Sequence, residues 1–156
     1  MSVKEMRDVL PENNAGVPVV PQILTNRAGD FLLASKKLAE MGYREINLNL
    51  GCPSGTVTAK KKGSGFLLYP DDLDRFFDEV FSDAAVRNGE FLVSVKTRIG
   101  KNEVEEWPEL MQVYNRYPIH ELTVHPRIQK ELYKGTPHLD VLADILKESR
   151  NPVVDN

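Results

Sequence analysis

The stretch Glu45-Ile46-Asn47-Leu48-Asn49-Leu50-Gly51-Cys52-Pro53-Ser54 decides the fold. Ile46, Leu48 and Leu50 alternate with Glu45, Asn47 and Asn49, which predicts a strand with one apolar and one polar face. Gly51 and Pro53 then break the strand on either side of Cys52, the single cysteine of the chain. A polar strand face that runs into a thiol suggests a site.

Upstream of it, residues 17–24 form a β-rich apolar run. Its Pro18 and Pro21 suit only the edge of a sheet, because proline has no N–H for a ladder. Asp30 is the expected N-cap of a helix over 31–41, and Gly42 ends that helix. Residues 1–16 are polar and mixed, and read as a loop or a short frayed helix outside the main unit, 17–156. Downstream, 51–70 is the longest non-strand connection and holds Gly51, Gly55, Gly63, Gly65 and the run Lys60-Lys61-Lys62. A helix over 71–81 follows Pro70, with Asp71, Asp72 and Asp74 suited to its N-terminal dipole. Then come a strand at 91–98, a loop at 100–106, a helix at 107–116 and a strand at 121–125. A loop at 126–137, a helix at 139–147 and a last strand opening at Val153 complete the chain. Strands alternating with helices predict right-handed βαβ units and a parallel sheet, an α/β fold.

The 156 residues are enough for one domain with a sizeable core; 41% are apolar and 28% charged, ordinary for a globular protein. No apolar run approaches the roughly 20 residues of a membrane span, and the first residues lack the apolar centre of a signal peptide. With one cysteine and no internal disulfide, the cytoplasm is the expected compartment. The net charge of −3 exerts no general pull on nucleic acid, so any RNA contact needs a local basic patch. No cluster with metal-ligand spacing is visible, since His120, His125 and His138 do not share a face.

The polar faces recur toward the strands' carboxyl ends: Gln22; Asn47 and Asn49; Ser94, Lys96 and Arg98; Thr123 and His125; and Asn156. A parallel sheet normally has both faces covered and apolar. A repeated polar face at those ends fits the mouth of a (β/α)8 barrel, where active sites sit. Cys52 is then a candidate nucleophile, general acid or redox thiol. Lys96, on an otherwise buried strand, is a candidate Schiff-base lysine or a cation facing an anionic ligand. His125 taken alone is a core histidine. Gln22, Asn47 and Asn49 offer amide donors and acceptors suited to a flat heterocycle. Lys60–Lys62 read first as a solvated charge run and second as phosphate contacts, and Arg98 and Arg127 stand at the mouth, available for phosphates.

Five stretches carry a resemblance. They are Val19-Val20-Pro21-Gln22-Ile23-Leu24, Ile46-Asn47-Leu48-Asn49-Leu50-Gly51-Cys52-Pro53, Lys61-Lys62-Gly63-Ser64-Gly65, Val93-Ser94-Val95-Lys96-Thr97-Arg98-Ile99-Gly100 and Leu122-Thr123-Val124-His125-Pro126-Arg127. In this order and spacing the sequence resembles the tRNA-dihydrouridine synthases, over nearly the whole chain. The resemblance implies a TIM-barrel flavoprotein that reduces the C5–C6 bond of uridine in tRNA, with FMN as cofactor and NADPH as reductant. It implies Cys52 as the proton donor, Gln22, Lys96, His125 and Asn156 as flavin contacts, and Asn49 and Arg98 as substrate or tRNA contacts.

The resemblance also implies a longer protein. The first barrel strand, the last strands and a small helical C-terminal domain are not among these residues, and five strands stand where a closed barrel has eight. The chain is therefore expected to be a central part of the barrel, inactive in isolation, with open sheet edges through which it associates. Two other readings remain open at this point: a Schiff-base barrel lyase using Lys96, and a non-catalytic RNA-binding fragment.

Overall fold

A computed structural model describes residues 3–156; Met1 and Ser2 of the expected N-terminal segment lie outside the described residues. The elements run α1 (Val3–Asp8), β1 (Gln22–Ile23), α2 (Ala28–Glu40), β2 (Glu45–Leu50), α3 (Gly55–Thr58) and α4 (Pro70–Ser82). They continue with α5 (Ala84–Arg87), β3 (Leu92–Gly100), α6 (Trp107–Tyr114), β4 (Leu122–Ile128), α7 (Leu139–Glu148) and β5 (Val153–Asp155). The five strands form one parallel sheet in the order β1-β2-β3-β4-β5. Sequential parallel neighbours joined by helices are the arrangement of part of a (β/α)8 barrel. No described helix is long and apolar enough to cross a membrane.

One face of the sheet is a helix-covered core. Ile46, Leu48 and Leu50 of β2, Val93 and Val95 of β3 and Leu122 and Val124 of β4 are all buried. Above them α2 lies on β2, α6 on β3, and α7 on β4 and β5. Helix α4 presents Leu73, Phe76, Phe77 and Val80 at the i, i+3, i+4, i+7 spacing of an apolar stripe. Its Phe76 and Phe77 meet Phe31, Phe66 and Tyr114 edge to face. The opposite sheet face is the polar one. The register lines up Gln22 with Asn47, Asn47 with Ser94, Asn49 with Lys96, Lys96 with Thr123 and Arg98 with His125.

Several elements depart from the expectations. Helix α2 starts at Ala28, not at 31, and Arg27 rather than Asp30 holds the N-cap position. Buried Ala28 and Phe31 anchor that first turn to the core, and Asp30 falls inside it, 3.6 Å from Arg27. The run 17–24 yields only two paired residues, the prolines having withheld the donors a longer ladder needs. The 51–70 connection is largely helical, with α3 and a 3-10 turn at Gly63–Leu68. Short α5, with Asp83 accepting from the Ala85 N–H at 2.9 Å, had no periodic signal.

Strand β4 does not end at His125 but continues through Pro126 to Ile128. Between Arg98 and Gly100 the register steps by one extra residue on β4. That bulge lets Pro126 sit in the strand without owing β3 a hydrogen bond. The free Pro126 carbonyl accepts from the His138 N–H at 2.8 Å, which ties the start of α7 to the strand end.

Candidate functional site

The site begins where β2 stops. The Asn49 side chain bends back, and its Oδ1 accepts from the N–H groups of Gly51 (3.0 Å) and Cys52 (2.9 Å). This is an Asx-type turn, the local hydrogen-bonding habit of asparagine. Its Nδ2 donates to Gln22 Oε1 at 2.6 Å, and Gln22 Nε2 donates to Asn47 Oδ1 at 2.8 Å. Asn47, 9% exposed, in turn donates to Ser94 Oγ at 2.9 Å. The polar side chains of β1, β2 and β3 are therefore wired to one another, and the wire ends on the Cys52 turn.

The carbonyls of that turn are held from three other directions. Arg98 Nε donates to the Gly51 carbonyl at 2.9 Å. Ser64 donates to the Cys52 carbonyl through both its N–H (3.1 Å) and its hydroxyl (2.9 Å). Gln129 Nε2 donates to the Pro53 carbonyl at 3.3 Å. Gly63 packs so closely that a Cβ there would lie 2.8 Å from the Cys52 carbonyl oxygen and 2.9 Å from its Cβ. The Gly63-Ser64-Gly65 run is thus a close-packing device behind the thiol.

Cys52 lies half-buried on a cleft of about 250 Å³, with Asn49, Lys96, Arg98, His125, Tyr133 and Asn156 around it. Of the seven predicted site residues six line this cleft, and Gln22 is one hydrogen bond away through Asn49. Among the described residues that line it none is acidic. Lys96 Nζ donates to Asn156 Oδ1. Burial, then the Arg98 charge, depresses the Lys96 pKa. The His125 pKa is also lowered, first by burial and further by Arg98, Arg127 and Lys96, against the opposing Asn156 carbonyl. His125 Nδ1 lies 2.9 Å from that carbonyl, which can only accept, so Nδ1 carries the hydrogen. Nε2 then presents its lone pair to Arg127 Nη1 at 3.4 Å. A neutral imidazole and a lysine with no acidic partner among the described residues make the cleft a place for an electron-rich or anionic partner.

Arg98 is not the free, outward-facing arginine expected at the mouth. It is 2% exposed, and its guanidinium is turned inward onto the carbonyls of Gly51, Ile128 (3.2 Å) and Leu132 (2.8 Å). Arg127 is likewise engaged, by His125 and by the Gly135 carbonyl at 2.9 Å. Of the lysine run, Lys61 lies over the Tyr69 ring at 4.1 Å and borders a separate cleft with Arg27 and Arg75. Sequence reasoning missed Tyr133. It is 74% exposed, its ring lies edge-on to His125 at 6.0 Å, and Arg98 sits 5.2 Å from its centre. An exposed aromatic in a loop just past a cationic strand end is the signal that could have found it.

The sequence model of the family described as Dihydrouridine synthase (Dus) matches residues 2–156. The chain belongs to the dihydrouridine synthase family. It is 34% identical over 139 residues to a probable tRNA-dihydrouridine synthase of Staphylococcus aureus, covering 89% of this chain and 40% of that protein. A probable tRNA-dihydrouridine synthase of Staphylococcus epidermidis is 32% identical with the same coverage. Probable tRNA-dihydrouridine synthase 2 of Bacillus subtilis is 31% identical over 130 residues, 83% of this chain and 38% of that protein. The chain thus spans about 40% of the length of the curated relatives it matches. The dihydrouridine synthases are flavin-dependent oxidoreductases of tRNA, and the chemistry of the cleft's lining suits the polar edge of a flat heterocycle. Among the described residues it offers amide donors and acceptors (Asn49, Asn156), a cation hydrogen-bonded to an amide (Lys96) and a neutral histidine, and no acidic side chain.

Proposed function

We propose that residues 17–156 carry the proton-donor and ring-edge part of a site that reduces uridine in tRNA to 5,6-dihydrouridine. FMN is the proposed cofactor and NADPH its reductant, in the cytoplasm where tRNA is. One arrangement carries this reading: a thiol on a turn anchored from four directions, above a cleft whose described lining is cationic and amide but not acidic. Lys96, His125 and Asn156 would hold FMN there, and the reduced cofactor would supply the hydride for C6. Cys52 Sγ holds a proton and delivers it to C5, the other carbon of the same double bond. Lys96 offers its cation to the ring edge that gains charge. Asn156 and His125 orient that edge, while Gln22 acts through Asn49 and Asn47. The uracil must leave its stack to enter, and Asn49 stands beside Cys52 at the entrance. Arg98 contributes by holding the turn and the Tyr133 loop in register, beside the tRNA contact implied by the resemblance.

This chain by itself is proposed to bind FMN weakly and to turn over little, since its five strands form an open sheet and not a closed barrel. Strands β1 and β5 leave open edges, through which self-association is proposed. The test places these residues in a full-length dihydrouridine synthase background, loaded with FMN and given unmodified tRNA, with dihydrouridine measured by mass spectrometry. Cys52→Ala should lower its formation on the order of a hundredfold with FMN affinity unchanged. Undiminished formation would remove the proton-donor role, and borohydride trapping of a carbonyl substrate on Lys96 would favour a Schiff-base lyase instead.

A further inference from the structure

Two peptide planes flank Cys52, and together they set the direction of its Cα–Cβ bond. The plane before it is held by the Cys52 N–H on Asn49 Oδ1 and by Arg98 Nε on the Gly51 carbonyl. Among the described residues the plane after it is held by Ser64, with two donors on one oxygen. A single hydrogen bond leaves a carbonyl free to pivot about the donor direction. Two donors from one rigid residue remove that pivot, since a carbonyl oxygen has two lone pairs to fill. The following residue is Pro53, which has no N–H to contribute to the hold. Ser64 is itself immobilised: it is 0% exposed, between Gly63 with its close approach to Cys52 and Gly65, whose Cβ would meet the Thr58 carbonyl at 2.6 Å.

We infer that Ser64 is a positioning residue for Cys52: its hydroxyl and N–H together fix the carbonyl of the thiol-bearing residue, leaving only the side-chain torsion free. The inference rests on the proposed proton-donor role for its functional meaning, but the positioning itself is independent of that role. Gly63 and Gly65 serve the same end by letting the Ser64 segment approach the turn. Removing the hydroxyl leaves the backbone N–H bond in place, so Ser64→Ala loosens the turn without unfolding it.

Cys52 is the only cysteine, so in uniformly 13C,15N-labelled protein it gives one cysteine spin system that reports on this turn, with core amides read alongside it. In Ser64→Ala the residue-64 amide, the donor left on the Cys52 carbonyl, should exchange with solvent on the order of fivefold faster, the equivalent of one lost neutral hydrogen bond, and Cys52 should show a shifted carbonyl carbon. Its Cβ signal should broaden or split, while core amides of Val95 and Leu48 exchange as in the parent. An unchanged Cys52 spin system overturns the inference, as does a loss of protection spread equally over Val95 and Leu48. A second arm makes the substitutions in the same full-length, FMN-loaded background, with tRNA under single-turnover conditions. Ser64→Ala should slow dihydrouridine formation on the order of tenfold to a hundredfold in the parent. It should have no further effect in a Cys52→Ala background, because it acts through the thiol. Equal slowing in both backgrounds overturns the positioning role. Parent-like turnover of Cys52→Ala removes the proton-donor reading and leaves the spectroscopic arm standing.

Discussion

Gly63→Ala isolates the contact that backs the thiol. Gly63 has φ of +55°, and a Cβ there would sit 2.8 Å from the Cys52 carbonyl oxygen, 2.9 Å from Cys52 Cβ and 3.1 Å from Val57 Cγ1. Gly89 supplies the control, with φ of +71° and nothing within 4 Å of the same ideal Cβ. Placing alanine in left-handed backbone costs about 1 kcal/mol at either position. At Gly63 the new methyl must also push back a turn fastened by Ser64, Arg98, Asn49 and Gln129, and overpacking of that kind adds about 1–3 kcal/mol. The expected losses are therefore about 3 kcal/mol for Gly63→Ala and about 1 kcal/mol for Gly89→Ala. With a urea slope of about 2 kcal/mol/M, the two unfolding midpoints should differ by about 1 M at equal slope. Equal midpoints would refute the close packing of Gly63 on Cys52, and with it the account of why glycine stands before Ser64.

Arg98→Met should destabilise by about 3 kcal/mol in a thermal melt, because it strands the Gly51 and Leu132 carbonyls that the guanidinium now holds; an unchanged melting temperature contradicts the inward placement. Lys96→Met should raise stability near neutral pH while weakening FMN binding. Burial, then Arg98, depresses the Lys96 pKa, so its charged form burdens the folded state below that pKa and the burden lifts as pH rises through it. A less stable Lys96→Met protein would show that the lysine has a compensating anion. At Glu131, burial works against ionisation, but the His138 hydrogen bond and the Ile128 N–H prevail and lower its pKa. Its contribution is present above the unfolded value, 4.5, and lost as pH falls through the depressed folded value. Glu131→Gln should therefore flatten the acid limb of the stability profile and leave its alkaline limb unchanged; an unaltered acid limb counts against the pair.

The parts of the fold that follow from local pattern were readable in the sequence. Alternation in 45–50, the apolar stripe of α4 and the left-handed Gly42 that closes α2 needed no distant partner. What escaped depends on contacts far along the chain. Pro126 stays in β4 only because the register with β3 slips beside it. Asp30 loses the N-cap position to a helix start set by the burial of Ala28 and Phe31. The period of two placed Arg98 correctly on the polar face with Lys96, but not the direction of its long side chain, which turns back to three carbonyls. The convergence of Cys52, Lys96, His125 and Asn156 was foreseeable from strand ends in a parallel sheet. The parts played by Ser64, although it lies in a stretch that carries the resemblance, and by Gln129 were not, because each rests on a hydrogen bond to the turn across 12 and 76 residues of chain.

Those separations also set a schedule. The Cys52 turn is fastened by Asn49 just before it, and then by Ser64, Arg98 and Gln129, which follow it by 12, 47 and 76 residues. Contacts that close long loops form late, because chain entropy opposes them until the intervening strands have paired. During synthesis the thiol therefore emerges first and is oriented last, after β3 and the end of β4 have joined the sheet. A lone cysteine that waits in this way is a built-in clock: the moment its spin system takes on its native chemical shifts during refolding marks the assembly of the sheet as far as Gln129.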